Sequence, residues 1–202
     1  MASLHRMCVC VLVTVSLSSP AWAQRTAPQA APPDDWGHGT TVSASAGAAT
    51  DGSHTAATAG GAVGWELTPR VMVEGSATWL DRREGSHGFN AALKLRAGLT
   101  RTGVSPFVEG GIGLYRVTHT ASAVMPEFYR RRMLGQGPSQ MQQSFTDPVF
   151  HAGAGLNVFV SRHLSVQPAA ELLLVTRDAH AYRLSAFSLR FAYHFEDHPV
   201  TR

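Results

Sequence analysis

Between Thr40 and Phe195, apolar residues recur at every second position in eight runs. That alternation is the signature of strands with one greasy face. The runs are 40–49, 55–67, 71–80, 89–99, 104–118, 150–160, 164–175 and 184–195. The fourth is the clearest, with Phe89, Ala91, Leu93, Leu95, Ala97 and Leu99 on one parity. The first is the weakest, with Val42, Ala44, Ala46 and Ala48. Connectors at 67–70, 100–103 and 161–163 read as tight turns. Those at 50–54, 81–88, 119–147 and 176–183 read as longer or more polar loops. Turns at one end and loops at the other predict an all-β fold, an eight-stranded antiparallel up-and-down transmembrane β-barrel with its turns facing the periplasm.

The second parity decides between a membrane barrel and a soluble one. A soluble barrel would crowd its water-facing side with charge. Here that side holds mostly small residues, such as Ser43, Ser45, Gly60, Gly64, Gly98, Gly111, Gly113, Gly153 and Gly155. Small side chains fit the narrow interior of an eight-stranded barrel. Its few charges balance: Glu74, Glu109 and Glu171 against Lys94, Arg96 and Arg190. His151, Asn157, Gln167 and His194 share this parity. The expectation is a lumen plugged by an ionic network, because an unpaired buried charge is costly.

The apolar parity carries aromatic residues at two depths. Trp65, Tyr193 and Phe195 lie toward the turns, and Trp79, Phe89, Phe150 and Phe187 toward the loops. Girdles of this kind suit the two interfaces of a bilayer. Arg116 falls on the lipid parity near the loop end, while Phe107 and Tyr115 fall on the lumen parity. Pro106 and Pro168 sit within strands and remove ladder donors, which a bulge could absorb.

The N-terminus changes the picture of location. His5 and Arg6 precede an apolar run at 7–17, then Ser18-Ser19-Pro20 and the small-x-small site Ala21-Trp22-Ala23. This reads as a cleaved secretory signal at 1–23. The run falls short of the roughly 20 residues of a spanning helix. Residues 24–39 form a Pro/Ala-rich periplasmic linker, 40–195 the barrel and 196–202 a tail. Both cysteines, Cys8 and Cys10, lie in the signal, so the mature chain is expected to have no thiol chemistry. The formal charge is +3, one unit of it from Arg6, too balanced for nucleic-acid binding.

The segment from Phe187 to Phe195 (FSLRFAYHF) resembles the C-terminal signal by which the outer-membrane assembly machinery recognises its clients. Gly60–Gly75 (GGAVGWELTPRVMVEG) and Phe107–Tyr115 (FVEGGIGLY) resemble strands of the small OmpA/OmpX-like outer-membrane barrel family. The likeness spans roughly 36–195. It implies outer-membrane localisation and the fold, and says little about activity. The tail after Phe195 departs from the pattern, in which the closing aromatic usually ends the chain or domain.

No residue set announces a reaction. His180, Ser185 and Asp178 flank one loop and could suggest a lipid A-modifying barrel enzyme, but the tight His-x-Ser pattern of the deacylases is absent. His194 and His198 frame Glu196-Asp197, yet no closed metal-ligand set appears. No cofactor is expected. Phe128-Tyr129-Arg130-Arg131-Arg132, in the longest loop, is the candidate for contact with lipopolysaccharide phosphates or a surface partner. The sequence reading is thus a monomeric, non-enzymatic structural barrel among outer-membrane lipids and lipopolysaccharide. The alternative is a small-solute or ion pore.

Overall fold

The computed structural model describes residues 39–82, 86–100, 103–120, 128–129, 142–177 and 180–195. The proposed signal, most of the linker, the C-terminal tail and Arg130–Arg132 lie outside them. Eight strands follow in order: β1 Thr40–Thr50, β2 Thr55–Thr68, β3 Val71–Asp81, β4 His87–Gly98, β5 Val104–Thr120, β6 Gln142–Phe159, β7 Leu164–Arg177 and β8 His180–His194. Each pairs antiparallel with its chain neighbours, and β8 returns to β1, from Thr41↔His194 to Thr50↔Ser185. The sheet is therefore a closed barrel without an edge, and every strand finds ladder partners on both sides. This closure holds even β1, whose apolar face is only Val42 and alanines.

Alternation determines which way each side chain points. Leu93, Ile112, Leu172 and Phe191 are exposed on the outer wall, while Glu109 and Lys94 are buried in the lumen. The two aromatics that fall on the lumen parity are seated by glycines. Phe107 pairs with Gly155, where a Cβ would lie 2.6 Å from the Phe107 ring. Tyr115 lies over Gly88, where a Cβ would meet its hydroxyl at 2.8 Å. Neither proline shifts the register, although the β6–β7 ladder is interrupted at Pro168, between Gly155↔Ala169 and Val158↔Val166; the register shift falls between Glu66 and Thr68, beside the β2–β3 turn. The expectation of bulges at Pro106 and Pro168 is therefore corrected. Pro106 keeps its place because its carbonyl accepts from the Leu99 amide at 2.8 Å.

The structure corrects the loop end more substantially. β6 begins at Gln142 rather than Phe150, and β8 at His180 rather than Leu184. Arg177 pairs directly with His180, so the connector placed at 176–183 shrinks to residues 178–179. The physical reason is an inversion of polarity. In 144–149, Ser144, Thr146 and Pro148 face outward, and Phe145, Asp147 and Val149 face inward. Period two persists, but here the apolar side chains mostly belong to the interior. A count of outward apolar positions stops where that inversion starts.

Candidate functional site

The lumen is filled in two chemically distinct layers. The first lies midway along the strands. β3 and β4 place Glu74 opposite Lys94, and β4 and β5 place Arg96 opposite Glu109. β8 supplies Arg190 and β7 supplies Glu171. Arg190 donates to Glu74 Oε1 at 3.0 Å and to Glu109 Oε1 at 2.9 Å. Arg96 reaches the same two carboxylates, Glu74 Oε2 at 2.8 Å and Glu109 Oε2 at 3.0 Å. Lys94 Nζ lies 3.2 Å from Glu171 and 3.5 Å from Glu109. Two guanidiniums thus bridge two carboxylates, and the ammonium joins the third.

Neighbours extend this network. Gln167 accepts from Arg96 at 2.9 Å and donates to Ser165 at 3.1 Å. His151 Nδ1 contacts Glu171. Arg96 stacks over Phe107 at 4.3 Å, which also explains why an aromatic is tolerated here. Nearer the turns, His194 spans from Thr41 at 3.2 Å to Ser165 at 2.9 Å.

The second layer lies toward the loops and is apolar. Leu80, Tyr115, Val117, Phe145, Val149, Leu173, Val175, Tyr182 and Leu184 form one buried cluster with Ala49 and Ala56. The expectation of a lumen filled mostly by small residues and an ionic network is corrected at this end, because the strands here carry bulky side chains inward. Tyr129 completes the cluster. Its ring is fully buried, 5.5 Å from Phe145, 5.6 Å from Tyr182 and 5.2 Å from His119. Tyr129 is thus a buried stopper rather than the surface contact residue proposed from the sequence. Phe128 packs edge-on against it and is partly buried.

A polar clasp lies beside the stopper. Tyr182 donates to Asp51 Oδ2 at 2.6 Å, and Arg82 donates to Tyr182 at 2.8 Å. Asp51 also accepts from the Ser53 amide at 3.0 Å and the His54 amide at 2.8 Å, which shapes the β1–β2 loop. Burial pushes the Asp51 carboxyl upward. The bond from Tyr182 and those from the loop outweigh it and hold the group well below the usual carboxylate range. The sequence reading missed this clasp, whose members stand far apart in the chain and share no spacing.

Between the layers is a cavity of about 40 Å³, bordered by Ser76, Asn90, Lys94 and Glu171 among others. It has room for roughly three waters. Outside, Trp65, Trp79, Phe89, Phe150, Phe187, Tyr193 and Phe195 are all exposed. Trp79 pairs with Phe89, and Phe89 with Arg116, so the outward arginine stands at the loop-side aromatic rim. His180 and Ser185 have opposite parity on β8 and are five residues apart, about 16 Å along a strand. They do not form one site. Asp178 lies outside the described residues.

The family pattern described as "Outer membrane protein beta-barrel domain" matches residues 9–195. Among solved structures, the chain is similar to Neisserial surface protein A, with a TM-score of 0.57 and 8% identity over 77% of this chain and 95% of that one. The N-terminal barrel domain of Pseudomonas aeruginosa OprF gives a TM-score of 0.52 and 15% identity over 76% and 97%. Ail, the attachment invasion locus protein of Yersinia pestis, gives 0.50 and 14% over 78% and 99%. No curated protein matches the chain significantly.

Proposed function

The chain belongs to the outer-membrane β-barrel domain family, and from that premise we propose that it is a sealed structural barrel of the outer membrane that presents its loop end for surface contacts. The observation that carries this reading is the double closure of the lumen. A conducting pore needs a continuous wet path. Here an interlocked ionic layer and a packed apolar layer lie in series. Among the described residues, the small pocket between them has room for a few waters.

Export through a cleaved signal at 1–23 and recognition of β8 by the assembly machinery complete the proposed route. The exposed aromatic side chains anchor the two interfaces, with the turns toward the periplasm. The protein works as a single copy among lipids and lipopolysaccharide. A role in catalysis is disfavoured by the opposite facing of His180 and Ser185.

Planar-bilayer recording on purified, heat-modifiable barrel tests the proposal. The expected result is no steady unitary current. Large, sustained single-channel steps would replace this reading with the pore.

A further inference from the structure

The outer wall is not uniform. On its loop-side half, an open groove runs over β3–β6, with Gly75 and Ala91 on its floor and Ile112, Leu114 and Phe150 along its flank. The register orders it. Gly75 pairs with Leu93, which pairs with Ile112, which pairs with Phe150; one step nearer the loops, Ala91 pairs with Leu114. The groove is apolar along its whole length. Over Gly75 there is open space, since a Cβ built there would meet nothing within 4 Å.

Arg116 is the next outward residue after Leu114 on β5, at the open upper end of the groove. It is exposed, and no ion pair reaches it among the described residues. A guanidinium on the lipid parity, directly above a greasy trough, is complementary to an amphiphile with an anionic head and an acyl chain. The loops face the outer leaflet in the proposed orientation, whose phosphate-bearing lipid is a glycolipid. Arginine matches phosphate oxygens well, and a trough replaces the loose annulus with fitted contact.

We infer that this groove is a binding site for one acyl chain of a lipid A-type phosphoglycolipid, with Arg116 holding a phosphate. The inference rests on the outer-membrane reading above and adds a specific ligand and site to it.

The test uses the full mature chain in nanodiscs of phosphatidylglycerol and phosphatidylethanolamine with 5 mol% purified lipid A as probe (a chosen composition, roughly ten lipid A molecules per disc). Lipid retained after exchange into mild detergent is read by native mass spectrometry. Wild type is expected to keep about one lipid A per barrel. Gly75→Leu, which fills the trough, and Arg116→Gln should each lower retention about tenfold. Arg183→Gln, which removes an outward arginine on β8, should leave it unchanged. Each variant is first checked for the wild-type heat-modifiability shift, which separates loss of the site from loss of the fold. Equal retention in all four proteins would overturn the inference, as would equal retention of phosphatidylglycerol. If wild type itself lacks the heat shift, the barrel reading fails instead.

Discussion

Arg190 on β8 and Glu109 on β5 meet at 2.9 Å across the barrel axis, 81 residues apart in the chain. The same guanidinium reaches Glu74 at 3.0 Å, so one side chain ties three strands together. Removing it leaves three lumen carboxylates to Arg96 and Lys94, so one buried negative charge goes uncompensated. Arg190→Ala is expected to destabilise the barrel by about 3–5 kcal/mol. Urea unfolding in lipid vesicles measures this. Arg190→Lys should recover only part, because an ammonium lacks the planar fork that engages both carboxylates.

Two seals in series predict non-additive conductance. Arg190→Ala alone leaves the apolar layer intact, and Tyr129→Ala alone leaves the ionic layer. Each single variant should remain silent in planar-bilayer recording, whereas the double variant should pass frequent openings. Conduction through Arg190→Ala alone would mean that the apolar layer does not seal.

The outer wall predicts a depth-dependent cost for charge. Leu93→Arg, in the apolar middle of β4, should cost about 2–4 kcal/mol. Arg116→Leu, at the aromatic rim, should change stability by no more than about 1 kcal/mol. Comparison of the two unfolding midpoints checks the depth assignment.

Tyr115 is seated by a missing side chain. Gly88→Ala puts a Cβ at 2.8 Å from the Tyr115 hydroxyl and should cost about 1–3 kcal/mol. Tyr115→Phe removes the offending oxygen and should relieve most of that cost in the double variant. Thermal unfolding of the four proteins in a cycle measures the coupling.

The clasp at the mouth predicts a pH response. The folded-state pKa of Asp51 is depressed, so its contribution is fully present above the unfolded value of about 4 and is lost progressively as pH falls below it. Tyr182→Phe should therefore lower stability equally at pH 5 and pH 8, by about 1–3 kcal/mol. The gap between the two proteins should narrow below pH 4. Urea midpoints across that range provide the check.

Much of this architecture is legible in the sequence, and the part that is not has a physical cause. Where the outer wall is apolar, runs such as Phe89–Ala91–Leu93–Leu95 show both strand and face. The turn at Pro69-Arg70 and the small residues of the opposite parity add closure. At the loop end, Phe145, Val149, Tyr182 and Leu184 turn inward, so a search for greasy outward positions begins β6 eight residues too late and β8 four residues too late. Each ionic residue lies on its own strand's lumen-facing parity, but which carboxylate meets which guanidinium follows from β-register across distant strands. Tyr129 gives no signal at all, since an aromatic in a long loop reads as surface until Phe145 and Tyr182 are seen around it.

The barrel works only in one orientation of its strands: apolar side chains outside against acyl chains, ionic and aromatic stoppers within. Brominated-lipid quenching of a bimane probe tests it most directly, with single cysteines in a background where Cys8 and Cys10 are replaced by serine. Probes at Leu93, Ile112 and Phe191 should be quenched strongly, and probes at Ser76 and Ser188, whose parity faces the lumen, weakly. Strong quenching at Ser76 and Ser188, with none at Leu93 and Phe191, would contradict the account.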